Sequence, residues 1–315
     1  MRTLVTGAQG CIGSWVVKRL IETGHSVITF DVNDSLARLE MISSPQIVSQ
    51  VDRRTGRIED TAAVKKLIID ERITHIVHLA AVLMPFCQKN PVQGGLINVV
   101  GTLNVFEAAR DLGLQTRIVY ASSSAVWGPG AEYGDGLLTE DLPMKPATHY
   151  GVFKAANEGN ARNFFASDGI SSIGLRPWTV FGPGRDAGLT ADPTLAMRAV
   201  AQKQPFQMRL SGHMDLQYVR DVADIFIRCL FSETPGAHVF NLRGEVVEME
   251  QLRQMLEEIR PGAARLISVS GPEVPVAFRM SDEALVKTVG AMPRTPLREA
   301  ITETIEKFES LEAGR

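Results

Sequence analysis

Cysteine is scarce in this chain: Cys11, Cys87 and Cys229 are the only three among 315 residues. Three is an odd number for a disulfide framework, and none is closely paired as at a zinc site, so reduced thiols are expected. Long apolar runs are missing too. The longest, Ile76 to Phe86, is interrupted by His78 and Pro85 and is too short to span a bilayer, so it reads as a buried strand. Neither charge sign dominates: 33 basic and 36 acidic residues leave a net charge of -3. Without a long Lys/Arg run to neutralise a phosphate backbone, nucleic acid is not an expected partner. The six histidines have no metal-ligand spacing, and His75 and His78, on one apolar strand, read as buried neutral residues; no metal is implied. A first strand from Arg2 leaves no room for a cleavable leader, and a cytoplasmic protein with no membrane association is expected. Internal repeats, low-complexity tracts and linkers are absent.

What remains, 44% hydrophobic and 22% charged, is the composition of an ordinary globule with a sizeable core. In the first half, short β-branched runs alternate with amphipathic segments, the pattern of parallel strands joined by helices. Strands are expected at Thr3 to Thr6, Val27 to Asp31, Ile47 to Val51, His75 to Leu79, Arg117 to Ala121 and Ser172 to Leu175. The run Val92 to Leu112 places Leu96, Val99, Val100, Leu103 and Phe106 at helical spacing, with Gly113 as C-cap. After Arg176, Pro and Gly punctuate shorter elements, as in Phe181 to Gly184, which suggests a smaller second lobe, while the helix Val219 to Phe231 returns to the main sheet.

Between the first strand and helix lies Thr6-Gly7-Ala8-Gln9-Gly10-Cys11-Ile12-Gly13. Gly7 suits a tight turn, Gly10 lets backbone approach a pyrophosphate, and Gly13 allows close helix-to-strand contact, with the helix N-terminus facing the anion. Such a loop can be only a turn, but this one follows a strand, opens a helix and precedes Asp31 by about the 20 residues expected of a ribose-binding acid. A carboxylate there accepts the 2′-hydroxyl and repels a 2′-phosphate, which favours NAD over NADP, although Asn33 or Arg38 could soften the preference. Asp31 could instead be a helix cap or turn residue. Cys11 reads as a small packed side chain rather than a redox switch. The fold class is therefore α/β, a doubly wound parallel sheet of Rossmann type with a smaller C-terminal lobe.

Tyr150-Gly-Val-Phe-Lys154 sets a phenol and an ammonium one turn apart on one helix face. A free phenol titrates near pH 10, so a working base near neutrality needs a cation beside it, and Lys154 can supply that charge while holding a nicotinamide ribose. The bland alternative is a surface pair. Ser123, in Tyr120-Ala-Ser-Ser-Ser-Ala-Val-Trp-Gly128, follows a strand at the end where such sheets place ligands, and its hydroxyl could bond the substrate oxygen. It could also belong to a serine-rich turn.

These residues, together with His78-Leu-Ala-Ala81, Asn98-Val-Val-Gly-Thr102, Arg176-Pro-Trp-Thr-Val-Phe-Gly-Pro183 and Tyr218-Val-Arg-Asp-Val-Ala223, fall in one familiar order. Almost end to end, the chain resembles the extended short-chain dehydrogenases of the NAD-dependent epimerase/dehydratase group, such as UDP-galactose 4-epimerase. The resemblance implies Ser123, Tyr150 and Lys154 as the catalytic set. Gly7, Gly10, Cys11, Ile12, Gly13, Asp31, Ile58, Leu79, Ala80, Ala81, Asn98 and Pro177 join Tyr150 and Lys154 at the cofactor, and Ser123, Ser124, Trp178, Thr179 and Arg185 are expected at the substrate. It further implies an NAD-binding domain over residues 1–176 with 213–242 returning to it, a substrate lobe over 177–212 and 243–315, and a homodimer paired through helices Val92 to Leu112 and Tyr150 to Ser167.

The chain also departs from that group. Thr179 replaces an Asn, Met214 stands where an Arg usually reaches a diphosphate, a second such Arg has no clear counterpart although Arg279 lies close, and Arg57 replaces an adenine-contacting Asp. Arg185 could grip a carboxylate or phosphate or be a solvated loop charge, and His213 is equally ambiguous. Dehydratases of the group follow a Thr with Asp-Glu, and Ser123-Ser124-Ala125 lacks that acid and base. The expectation is an NAD-dependent enzyme that oxidises a secondary hydroxyl of a sugar or sugar-derived compound. The alternative is a nucleotide-sugar 4-epimerase of the UDP-glucose type with retained NAD; a non-catalytic NAD sensor is a third reading, disfavoured by the intact Ser-Tyr-Lys set.

Overall fold

The computed structural model describes residues 2–113 and 117–314. Its strands are β1 (Arg2–Thr6), β2 (Ser26–Asp31), β3 (Asp52–Thr55), β4 (His75–His78), β5 (Arg117–Ala121), β6 (Ser172–Arg176), β7 (Thr179–Phe181), β8 (Phe206–Met208), β9 (His213–Tyr218), β10 (Ala237–Asn241), β11 (Glu245–Glu248) and β12 (Ile267–Val269). Seven form one parallel sheet in the order β10-β6-β5-β4-β1-β2-β3. Successive side chains on a strand face opposite ways, so Leu4, Ile76 and Ile118 join one apolar cluster while Val5, Val77 and Val119 join the other. The helix Cys11–Glu22 and the helix Val219–Leu230 cover the second cluster; Thr61–Asp70 and Gly101–Asp111 cover the first. Burial on both faces is what makes these short β-branched runs strands. The strand order reverses between β1 and β4, where sheets of this kind leave a ligand crevice.

Two expectations are corrected. Residues 47–51 are not a strand: Pro45–Val48 is a short helix with Pro45 in its first turn, and the strand is the polar Asp52–Thr55 that follows. Proline's fixed φ suits a helix start, and Ile47, Val48 and Val51 pack against the core from outside the sheet. Because β3 is the sheet edge, charged residues are tolerated there, which hid it. The return to the main sheet also begins later than residue 213. β9 lies between β11 and β7 in a separate three-stranded sheet, and only the helix Val219–Leu230 and β10 rejoin the large sheet. β12 and β8 make a further parallel pair.

The long helical segment is present, but its middle is wound more loosely: Pro91–Gly95, the π-helical Leu96–Val100 and Gly101–Asp111 follow one another. Gly113 takes a φ of 61°, the left-handed conformation that ends helices. Among the described residues, no helix is long and apolar enough to cross a membrane.

Candidate functional site

The glycine-rich loop sits at the strand-order reversal. Gly7 has a φ of 66°, and a Cβ on it would lie 2.6 Å from the Ala80 backbone nitrogen. A Cβ on Gly13 would lie 2.3 Å from the Gly7 carbonyl oxygen. Both glycines are therefore required for loop, helix and β4 to approach one another. At Gly10, the helix N-cap, such a Cβ would meet only the Gly7 carbonyl oxygen, and no side chain caps the helix. The first-turn N–H groups of Cys11, Ile12 and Gly13 have no intrahelical acceptor by geometry, which leaves an anion-binding end open. Asp31 closes the turn from the side: its carboxylate accepts from the Gln9 N–H at 2.9 Å and the Val32 N–H at 2.7 Å. Arg38, a potential ligand for a 2′-phosphate, is already engaged by the Gln9 carbonyl at 2.7 Å and by both carboxylate oxygens of Asp186. An uncapped helix end, a pinned glycine turn and a carboxylate at the end of β2 fit NAD. Cys11 is held as a thiol by burial, its pKa pushed up to about 12. Ile58 is buried beneath Gly101, and its carbonyl accepts from Asn104.

The Tyr-Lys pair lies on the helix His149–Asp168, which Thr148 caps by accepting from the Gly151 N–H at 3.1 Å. Lys154 is buried and donates to the Ala121 carbonyl at the end of β5, 2.6 Å away. Its Nζ lies 5.6 Å from the Tyr150 ring centroid. Ser123, two residues beyond Ala121, accepts from the Ala125 N–H, and Ser124 N–H donates to the Pro177 carbonyl. Ser123, Tyr150 and Lys154 thus meet where β5 and β6 end. Burial raises the Tyr150 pKa, opposed by a hydrogen bond with Ser123 and by the charge of Arg185. Two cations therefore bear on the phenol: Arg185 through its charge, and Lys154, expected from the sequence to supply that charge, through its place over the ring. Burial lowers Lys154 itself to about 8, with Cys87 and Glu158 pulling it back up.

Behind the site, contacts join residues far apart in sequence. Glu158, one turn past Lys154, is fully buried and forms a two-pronged pair with Arg176 at 2.8 and 2.7 Å. Ser122 donates to the same carboxylate at 2.5 Å. Arg176 also stacks over Trp127, 4.5 Å from the ring centroid, and both donate to the Asn241 side chain. On the other side, His78 Nδ1 lies 2.7 Å from Thr6 Oγ1, and its Nε2 lies 3.0 Å from Thr102 Oγ1. Burial, and then the charge of Lys154, lower the His78 pKa to about 3, so it is a neutral tie between the end of β1 and the start of the helix Gly101–Asp111. Asn98, in that turn, accepts from the Val82 N–H and donates to the Val82 carbonyl and to Cys87 Sγ, which anchors the segment after Leu79, Ala80 and Ala81. A π turn often marks a functional site because it re-aims one side chain.

The residues expected at the substrate have varied surroundings. Trp178 is half-buried, its indole donating to the Ala277 carbonyl and its N–H to Gln217. Thr179 is fully buried in β7, and its hydroxyl has no partner. Arg185 is half-buried rather than a free loop charge. Its Nη2 donates to Thr190, its Nε is buried without a partner, and its charge reaches both Cys11 and Tyr150. Met214 is fully buried in the core, Arg279 donates to the Asp135 carbonyl, and exposed His213 stacks on Phe278. Arg57 is exposed and paired with Glu59. Among the described residues, no group of His, Cys, Asp and Glu could hold a metal.

A family model described as NAD dependent epimerase/dehydratase matches residues 3–242. A UDP-glucose 4-epimerase of Mycolicibacterium smegmatis is 29% identical, with 98% of this chain and 99% of the relative aligned. UDP-glucuronate 4-epimerase 6 of Arabidopsis thaliana is 34% identical over 58% of this chain and 40% of its own length. Among solved structures, the Thermus thermophilus UDP-glucose 4-epimerase in complex with NAD superposes with a TM-score of 0.81 at 26% identity, covering 98% of this chain and 99% of that one.

Proposed function

Because this chain belongs to the NAD-dependent epimerase/dehydratase family, we propose that it oxidises a secondary hydroxyl of a sugar or sugar-derived compound, with Tyr150 as the base. The observation that carries this reading is the meeting of Tyr150, Lys154 and Ser123 beside an uncapped glycine-loop helix. NAD, when bound, takes the hydride from the carbinol carbon. Tyr150 accepts the hydroxyl proton, Ser123 bonds the substrate oxygen, and Lys154 holds the nicotinamide ribose while fixed to the Ala121 carbonyl. Asp31 takes the adenosine ribose. Arg185, whose buried Nε has no partner and whose charge acts on Tyr150, favours a substrate with an anionic group close to the reacting carbon.

A second reading, a UDP-glucose-type 4-epimerase with retained NAD, is favoured by the full-length alignment with the M. smegmatis relative. Against it stands Met214, buried in the core where a diphosphate-binding Arg is usual. The purified protein incubated with NAD and a panel of sugars, sugar acids and nucleotide sugars decides between them. Stoichiometric NADH supports net oxidation, and isomer exchange with NAD copurifying supports epimerisation. Tyr150→Phe should reduce either activity by about 10²- to 10⁴-fold; unchanged turnover would remove Tyr150 from the chemistry. We place the enzyme in the cytoplasm as a homodimer. Exposed apolar side chains on both candidate helices, Val92, Leu96, Val152 and Phe165, support that pairing.

A further inference from the structure

Residues 182–188, between β7 and the helix Asp192–Gln202, cross back over the glycine loop from the other lobe. The Pro183 carbonyl accepts from the Trp15 indole at 2.9 Å, fixing the start of the crossing to the helix Cys11–Glu22. Gly184 has a φ of 95°, and a Cβ on it would lie 4.0 Å from Cys11 Sγ and 3.8 Å from Arg38 Cδ. At the far end, a Cβ on Gly188 would lie 3.4 Å from Arg185 Nη2 and 3.6 Å from Leu83 Cδ1, in the segment that follows β4. The loop therefore touches both banks of the crevice, the glycine turn after β1 and the chain after β4, and it carries Arg185 between them.

A second side chain, Arg38, adds the charged tie between this crossing and the Rossmann half. Arg38 donates from Nε to the Gly184 carbonyl at 3.1 Å, from Nε and Nη2 to the Asp186 carboxylate at 3.1 and 2.7 Å, and from Nη1 to the Gln9 carbonyl at 2.7 Å. Gln9 in turn donates its N–H to Asp31. A single guanidinium thus joins the crossing loop, the glycine turn and, through Gln9, the ribose-binding carboxylate. The pair is partly exposed, with side chains 33% and 40% accessible, so salt weakens it and it can open without unfolding its surroundings.

We infer that residues 182–188 form a cover over the pyrophosphate of the bound dinucleotide, and that Arg38 and Asp186 are the clasp that sets how long the dinucleotide stays. This rests on the reading of the crevice as an NAD site. It gives the chain a physical control on the choice between the two activities. A closed clasp keeps the cofactor for a second hydride transfer, as epimerisation requires, and an opened one lets NADH leave after a single oxidation. Arg38 and Asp186 are positioning residues here; neither is assigned to the reacting atoms.

The test is the dissociation rate of NADH from the protein, followed by stopped-flow through the change in tryptophan emission or NADH fluorescence on displacement by excess NAD. Asp186→Asn should speed release about 5-fold and Arg38→Met, which loses all the guanidinium's ties and keeps only the Trp15 contact to Pro183, about 10- to 30-fold. Raising KCl should accelerate release from the parent and leave Arg38→Met nearly unmoved. Far-UV circular dichroism and the thermal midpoint without ligand identify any variant that fails to fold, and Asp186→Asn, a change at a partly exposed side chain, keeps the test decisive if Arg38→Met does not. Release rates within twofold of the parent in folded variants would overturn the clasp and leave NAD binding standing. A parent that binds no NADH would overturn both.

Discussion

The pair Glu158–Arg176 offers the sharpest energetic test, because both side chains are almost wholly buried, 0% and 3% accessible, and joined by two hydrogen bonds. Glu158→Gln leaves the Arg176 guanidinium charged in the core beside Trp127, with a neutral amide where it had two charged contacts, and Ser122 loses an anionic acceptor. Breaking one partner of a buried pair costs about 3–5 kcal/mol, most of it the penalty for the orphaned charge. Arg176→Met should cost a similar amount by stranding the carboxylate. The double variant Glu158→Gln/Arg176→Met removes both charges and should recover most of the loss, ending within about 1–2 kcal/mol of the parent. Urea unfolding followed by circular dichroism and tryptophan fluorescence reads all four corners of this cycle. Single-variant losses below about 1 kcal/mol, or a double variant equal to the sum of the singles, would refute the account of Arg176 as a charge neutralised by Glu158. Turnover should fall further in the singles than in the double, since Ser122 ties this carboxylate to the segment that carries Ser123.

Three other outcomes are expected. Gly7→Ala forces a Cβ to within 2.6 Å of the Ala80 backbone at a φ of 66°, so thermal unfolding should shift downward and NADH titration should show binding lost or strongly weakened. Lys154 is lowered by burial to about 8, so its ammonium disappears as pH rises through that value, and NADH affinity should fall about tenfold between about pH 7 and about pH 9; Lys154→Arg, which stays charged, should flatten that curve. Asp215, buried in β9 with Gln217 and Gly244 as donors and Arg243 and Arg294 nearby, is raised by burial from 3.8 to about 7. The folded chain then holds a proton that the unfolded chain has released, so stability falls as pH climbs from about 4 to about 7, by up to about 4 kcal/mol, and the urea midpoint of Asp215→Asn should lack that slope.

What was legible in the sequence was short-range. The glycine loop, Asp31 at the end of β2 and the Tyr150–Lys154 spacing each depend on residues within one turn or one βαβ unit, where spacing alone constrains geometry. Glu158 could have been found in the same way, as it continues the face of Tyr150 and Lys154 at the next four-residue step. Its partner could not, because nothing local marks Arg176 as buried. Arg38 and Asp186 are 148 positions apart, so their contact exists only once the lobes are placed. The misread strand at Ile47 to Val51 has a different cause. β-branched residues favour a pleated, half-buried surface, but here they line a turn packed on the core, while the strand itself is a charged edge. The π-helical turn at Leu96–Val100 was invisible because its apolar spacing matches an ordinary helix.

Tyr150 shows why motif and mechanism are separate questions. Sequence spacing identifies a phenol with a cation one turn away and invites the conclusion that the cation has already lowered its pKa. In the folded chain, Lys154 Nζ donates to the Ala121 carbonyl, and burial raises the phenol's pKa against the hydrogen bond from Ser123 and the Arg185 charge. Further positive charge entering its pocket would lower that pKa. The oxidised nicotinamide ring is positively charged and its reduced form is neutral, so a dinucleotide held in the crevice would favour the phenolate more when oxidised than when reduced. Proton removal would then be linked to occupancy of the crevice, and a cover that keeps the dinucleotide in place would also keep the phenol in its working state.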